Sequence, residues 1–293
     1  MEFRDKDFVV YTSLIGNNEG LNSQPFLRKS NLRHICFTDD KHLFSEDWEI
    51  IYVENILPLD FYRSQRNFKI RPHLILDNYK YSLYIDNTVV FKKTPEEFIN
   101  MIINSKNLNP LQPFVCLPYH SQFNLIEEFN ACSENSLDDQ LKIFEQLSDY
   151  IKISSENLKR RAYWCGILLR NHNNKIVKSF SEIWFTHICR YSRRDQLSVI
   201  HAALQAGLDL RGFELENDNS DFHKWPITKK KRTNRKFQKK YVDLIPLNYL
   251  EKLDKLKIKG EYKSKKTILK FLKSFLKIIF LKLKITFKTF LRN

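Results

Sequence analysis

Glycine is scarce in this chain, with 6 in 293 residues, and no G-x-G-x-x-G or Walker-type sequence occurs. Dinucleotide-binding and P-loop readings thereby lose their main support, because such loops need glycine for the backbone to approach phosphates closely. The five cysteines (Cys36, Cys116, Cys132, Cys165 and Cys189) are odd in number, widely spaced and lack any C-x-x-C pair. Neither a disulfide framework nor a zinc site is indicated, and buried free thiols in a reducing cytosol are expected. Residues 1–7 are charged and the apolar run after them is short, so no signal peptide is expected.

Acids are missing from two segments. Residues 229–240 hold eight basic residues and residues 262–293 hold ten, neither with an acid. The formal net charge of +15 therefore belongs to the C-terminal third, and the remainder is near neutral. A nucleic-acid-binding domain more often spreads cations over a folded face. A basic nucleic-acid-associated protein, contacting through residues 229–240, is one rival reading; such binding would weaken steeply with salt. No nucleic acid is expected as a partner.

What is present is a series of apolar runs ending in polar residues. Residues 8–14 (FVVYTSL), 32–38, 49–53, 81–85, 114–117 and 164–170 read as strands. Residues 61–76 predict a helix broken near Pro72, and residues 95–104 a helix with Glu96 and Glu97 in its first turn. Residues 123–130, 136–153 with a Ser136 cap, 182–189 and 194–204 predict further helices, with a turn at 171–174. Strands alternating with helices indicate an α/β domain with a mostly parallel central sheet. Expected boundaries are residues 1–215 for that domain, 216–261 for a basic linker with a short helix at 247–258, and 262–293 for a helix.

Within that last segment lysines line one side and Leu, Ile and Phe the other. It has no apolar run of about eighteen residues, so it is not expected to span a bilayer. A basic amphipathic helix of this kind lies in the interface of an anionic membrane, which implies a cytoplasmic protein held at the inner face of the cell membrane. The blander reading is a core-packing helix; the complete absence of acids favours the membrane.

The stretch YSLYIDNTVV (81–90) runs an aromatic strand into one acid, Asp86, followed by Asn87 and Thr88. A carboxylate beside a buried strand must be solvated, paired or metal-bound. In an open α/β sheet, ligands bind beyond the carboxyl ends of the strands. A Mn2+ or Mg2+ ion on Asp86 would stabilise a departing nucleoside diphosphate. The usual second acid, two residues on, is here Thr88. RYSRRDQLS (190–198) packs Arg194, Asp195 and Gln196 together; an acid there would serve as general base, and Arg194 would offset leaving-group charge.

The pieces ICFTDD (35–40), DFYRSQRNFKIRPH (60–73), YSLYIDNTV (81–89), LPYHSQFNLIEEF (117–129) and RYSRRDQLS (190–198), in this order, resemble the glycosyltransferase-like domain family of the plant turgor-regulation and mucilage-related proteins and their bacterial relatives. The resemblance covers about residues 5–210. It implies a GT-A-like fold, a nucleotide-sugar donor and a glycan or lipid-linked acceptor, in surface polysaccharide or lipopolysaccharide synthesis. Carried over, it places Tyr11, Thr12 and Asp39 at the nucleoside and Arg63, Arg66, Lys69 and His73 at the diphosphate. Asp86 takes the position of the metal-binding acid, with Asn87 beside it at the donor. His120 and Glu128 face acceptor or sugar, Asp195 and Arg194 are catalytic, and Gln196 binds acceptor. Solvated helix faces, core histidines and buried tryptophans are the bland readings of the same residues. A non-catalytic glycan-binding or scaffold member, which has lost its second acid, is the other rival reading.

Overall fold

The computed structural model describes residues 3–16 and 19–228, all within one compact unit. Ten strands run in chain order as β1 (Phe8–Leu14), β2 (Arg33–Thr38), β3 (Glu49–Tyr52), β4 (Tyr81–Ile85), β5 (Val90–Phe91), β6 (Val115–Asn124), β7 (Arg161–Tyr163), β8 (Ile167–Arg170), β9 (Arg211–Phe213) and β10 (His223–Lys224). Six helices accompany them: α1 (Phe61–Ile70), α2 (Pro95–Lys106), α3 (Leu125–Glu134), α4 (Gln140–Ser154), α5 (Lys175–Arg190) and α6 (Val199–Gln205).

The main sheet has the order β3-β2-β1-β4-β8-β6-β7, with β9 also on β6. Strands β1, β2, β3 and β4 pair in parallel, as do β6 and β9. Strand β8 enters antiparallel between β4 and β6, and β7 is antiparallel to β6. This is the α/β architecture with a mostly parallel sheet that the alternation predicts. All seven residues of β1 and all five of β4 are buried, as in strands covered on both faces. On one face Val10, Leu83, Ile85, Phe98 and Ile167 join the main core. On the other, Tyr11 and Tyr84 sit side by side in register, ring centroids 5.1 Å apart.

Helix α1 starts where Asp60 accepts the Arg63 N–H at 3.0 Å. Its C-terminal carbonyls are held by a fully buried cation: Arg170 on β8 donates to the carbonyls of Lys69 and Ile70 and to the Tyr11 hydroxyl. A positive charge suits the negative end of a helix. The break near Pro72 occurs as expected, with a 3-10 turn at Pro72–Leu74.

Several boundaries move. The helix expected from residue 123 begins at Leu125, because Phe123 and Asn124 still belong to β6 and Asn124 forms a capping box with Glu127. Ser136 does not cap α4; it sits in the left-handed region (φ 50°), and Asp139 caps instead, accepting the Leu141 N–H at 2.8 Å. Only Ile167–Arg170 of the 164–170 run pairs as a strand. Helix α5 starts at Lys175, capped by Asn174, well before residue 182. The 194–204 segment opens with a 3-10 turn at Asp195–Leu197 before α6. Strands β5, β9 and β10 are two or three residues long, too short for a periodic signal.

The fold does not stop at residue 215. Strand β10 pairs with β5, Trp225 packs on Trp164 at 5.2 Å between centroids, and the Ile227 N–H donates to the Thr88 carbonyl. The basic run 229–240, the short helix at 247–258 and the amphipathic segment 262–293 lie outside the described residues. Among the described residues no helix is long and apolar enough to cross a membrane.

Candidate functional site

Asp86 is the first residue beyond β4, at its carboxyl end, and its N–H donates to the Gly166 carbonyl at 2.8 Å. Residues i and i+2 of a strand share a face, so Tyr84 points the same way and its hydroxyl donates to Asp86 Oδ1 at 2.8 Å. Gln65 of α1 in turn donates to the Tyr84 hydroxyl at 2.8 Å and to Ser13 Oγ at 3.0 Å. Burial pushes the Tyr84 phenol well above its ordinary range, which keeps it a donor.

Lys69 lies four residues after Gln65 and three after Arg66, so each of them neighbours it on the surface of α1. Lys69, only 1% exposed, places its ammonium between two carboxylates, 3.1 Å from Asp86 Oδ1 and 2.7 Å from Asp195 Oδ2. The second contact is close but bent, an ion pair more than an aligned hydrogen bond. Arg66 Nε approaches the same Asp195 oxygen at 3.3 Å, and Arg66 Nη1 bonds Gln65. Asp195 is fixed from behind: the Trp184 indole N–H donates to its carbonyl at 3.1 Å, and the Gln196 N–H to its Oδ1 at 3.2 Å.

The two sides of this cluster titrate in opposite directions. Burial alone would raise the Asp195 carboxyl, but Arg66 and Lys69 outweigh it and hold the group well below the usual carboxylate range. Glu128, on α3 and 4% exposed, is raised by burial and by the Asp195 charge, with Arg194 opposing. The Cys132 thiol donates to Glu128 Oε1 at 3.5 Å, and His120 Nε2 stands 3.9 Å from its other oxygen. His120 also accepts the Gln122 and Phe123 N–H groups at its Nδ1, both at 3.2 Å. Arg194 reaches Gln196 Oε1 at 3.0 Å. Asp86, Asp195, Arg66, Lys69, Arg194, Glu128, Gln196 and His120 are thus gathered around one region.

The remaining expected site residues are placed otherwise. Tyr11 is fully buried, its hydroxyl bonded to the Lys69 carbonyl at 2.8 Å and to Arg170, so it forms the floor under α1. Thr12 is likewise enclosed. Asp39 remains at the rim, but its carboxylate accepts the N–H of Gly16 (φ 85°) at 3.0 Å and the Asn55 amide at 2.7 Å, tying three loops together. His73 and Arg71 both engage Glu182 on α5, at 2.8 and 2.9 Å, and not the Asp86 cluster. Arg63 caps the end of α5 through the carbonyls of Ile188 and Tyr191. Asn87 is a loop clamp: its Oδ1 accepts the Asn22 N–H at 2.9 Å and its amide donates to the Gly20 carbonyl at 3.0 Å.

That loop brings in Glu19, which the sequence did not single out. Glu19 bonds Asn87 and feels both Asp86 and Arg66; burial and the Asp86 charge raise its carboxyl. Cys165 also lies close to both acids and both cations, and burial raises its thiol well above the normal range, so it is not a thiolate. Nothing in the sequence spacing ties Glu19, Cys165 or the buried Arg170 to Asp86.

The donor set does not match a preformed metal centre. Among the described residues no three His, Cys, Asp or Glu side chains converge as metal ligands do. The expected metal role of Asp86 meets a lysine ammonium where a cation would bridge it to Asp195.

Residues 8–214 match the family model described as "TOD1/MUCI70, glycosyltransferase-like domain". A curated relative from Arabidopsis thaliana, "Probable hexosyltransferase MUCI70", is 24% identical over 159 residues, which is 52% of this chain and 26% of that protein. The match thus takes in about a quarter of the relative's length. The solved apo structure of the bifunctional glycosyltransferase WbbM aligns with a TM-score of 0.43 at 12% identity, covering 73% of this chain and 39% of that one.

Proposed function

Since this chain belongs to the TOD1/MUCI70 glycosyltransferase-like domain family, we propose that it moves a hexosyl or related group from a nucleotide-sugar donor to a hydroxyl of a glycan or lipid-linked acceptor. The observation that carries this is the pairing of Asp86 and Asp195 through Lys69 at the carboxyl end of β4, with Arg66 at the rim. An α/β sheet binds ligands at that end, and a sugar transfer needs positive charge where a diphosphate departs.

The chain's residues divide the work by environment. The acceptor oxygen attacks the anomeric carbon, the bond to the diphosphate oxygen breaks, and its electron pair leaves with the diphosphate. Asp195 is a poor proton acceptor at neutral pH, because two cations stabilise its charged form; its part is to hold Arg66 and Lys69 in place. Glu128, whose carboxyl burial raises above its ordinary value, is the better group to take the acceptor proton. Asp86 is part exposed, at 28%, and its second oxygen would accept from sugar hydroxyls. Arg194, beside Glu128, keeps that acid from being raised further.

Residues 262–293, in which lysines recur among Leu, Ile and Phe with no acid, would hold the enzyme on an anionic membrane at the cytoplasmic face, near a lipid-linked acceptor of surface polysaccharide or lipopolysaccharide synthesis. The full-length chain should be incubated with UDP-, GDP- and CDP-sugars and release of nucleoside diphosphate followed with and without acceptor glycans. Turnover of one donor class, lost in Asp86→Ala and Asp195→Ala, supports the reading. Full activity in both variants would overturn the site.

A further inference from the structure

We infer that the site holds the diphosphate through the guanidinium of Arg66, backed by Lys69, and binds nucleotide without a divalent metal. This rests on the nucleotide-sugar reading above and names how that donor is held.

A hard divalent ion seeks about six oxygen ligands, and waters and phosphates complete a shell that protein carboxylates begin. The turn after β4 supplies one carboxylate, and its Oδ1 already takes the Tyr84 hydroxyl at 2.8 Å and the Lys69 ammonium at 3.1 Å. The next two side chains are turned to other uses. Asn87 Oδ1 accepts the Asn22 N–H, and Thr88 Oγ1 accepts the Trp225 indole N–H at 3.1 Å. Asp195 is 3% exposed and closed off by Lys69 and Arg66. A second cation on Asp86 would have to sit against the ammonium, and like charges at such range repel strongly in a dry site.

The same arrangement suits an anion. Lys69 cancels the Asp86 charge that would otherwise repel a phosphate. Arg66 is 18% exposed; its Nη1 bonds Gln65, its Nε faces Asp195, and its Nη2 bonds nothing among the described residues. A guanidinium edge of this kind matches phosphate oxygens in a planar, two-pronged contact. A further acid beside Asp86, Glu19, is bonded to Asn87 and feels Arg66 as well as Asp86.

The test titrates the full-length chain calorimetrically with UDP, GDP and CDP, once in EDTA and once in Mn2+, and follows Mn2+ alone by its free-ion resonance as protein is added. The expected result is one nucleoside diphosphate bound with the same affinity in both buffers and no loss of the free Mn2+ signal. Arg66→Gln should weaken that binding by about tenfold or more, and Arg66→Lys by less. If affinity rises tenfold or more with Mn2+, or the protein takes up Mn2+ by itself, the inference fails while the donor reading survives, and Asp86 with Glu19 becomes the metal seat. If none of the three nucleotides binds in either buffer, both fail. Should Arg66→Gln not fold, the comparison of wild-type protein in EDTA and Mn2+ decides alone.

Discussion

The ammonium of Lys69 lies 2.7 Å from the Asp195 carboxylate, and both groups are at least 97% shielded from solvent. Such a pair is strongly destabilised when one member is removed, because the other keeps a buried charge with less compensation. Lys69→Met should therefore lower unfolding free energy by about 3–5 kcal/mol in urea denaturation. Asp195→Leu alone should do similar harm, and the double variant should recover part of the loss. Equal, additive losses would show that the two residues act independently.

Glu128 and Asp195 should separate in pH. The folded Glu128 carboxyl is raised above its unfolded value near 4.5, so its stabilising contribution is present below that pH and fades as pH rises through the raised value. Glu128→Gln should therefore gain stability relative to wild type as pH rises above about 4.5. Asp195 is depressed below 3.8, so its contribution is present above that value and lost only in strong acid. Thermal melts of Glu128→Gln against wild type from pH 4 to 8 measure the first trend, and melts of Asp195→Asn against wild type from pH 2 to 5 the second.

In transfer assays Glu128→Gln should lose about 10²- to 10⁴-fold in kcat, the usual worth of a general base. It should also flatten the acidic limb of the rate profile. Asp195→Asn should lower the rate without moving that limb. An unchanged limb in Glu128→Gln would remove it from the proton path.

Tyr11→Phe tests a floor role against a nucleoside contact. Losing the hydroxyl leaves buried Arg170 one partner short, which should cost about 1–3 kcal/mol of stability. Nucleotide affinity should stay within about twofold of wild type. A large affinity loss in a well-folded variant would put Tyr11 back at the donor.

Asn87→Ala removes two side-chain hydrogen bonds to the loop that carries Glu19. Amide hydrogen exchange at Asn22 should quicken, and the donor KM should rise more than kcat falls. Unchanged exchange would mean that the bond from the Asn22 side-chain amide to the Asn87 carbonyl, at 2.7 Å, suffices.

Much of this molecule is written locally. The continuous apolar runs of β1 and β4, the break after α1 at Pro72 and the acids in the first turn of α2 follow from short-range sterics, burial and the helix dipole, and so were legible. So was the shared face of Tyr84 with Asp86, and of Lys69 with each of Gln65 and Arg66, because strand and helix periods fix which residues point together. What those faces meet was not. That Lys69 bridges Asp86 to Asp195, that Arg170 reaches back to α1, and that Glu19 descends beside Asn87 depend on β8 entering antiparallel beside β4 and on α1 packing against α5. Those partners come from distant parts of the chain, and spacing along a chain carries no record of which distant segment will pack there. The same long-range packing turned His73 and Arg63 toward α5 and away from the site, because a side chain's role is decided by the charge it ends beside and not by the motif it sits in.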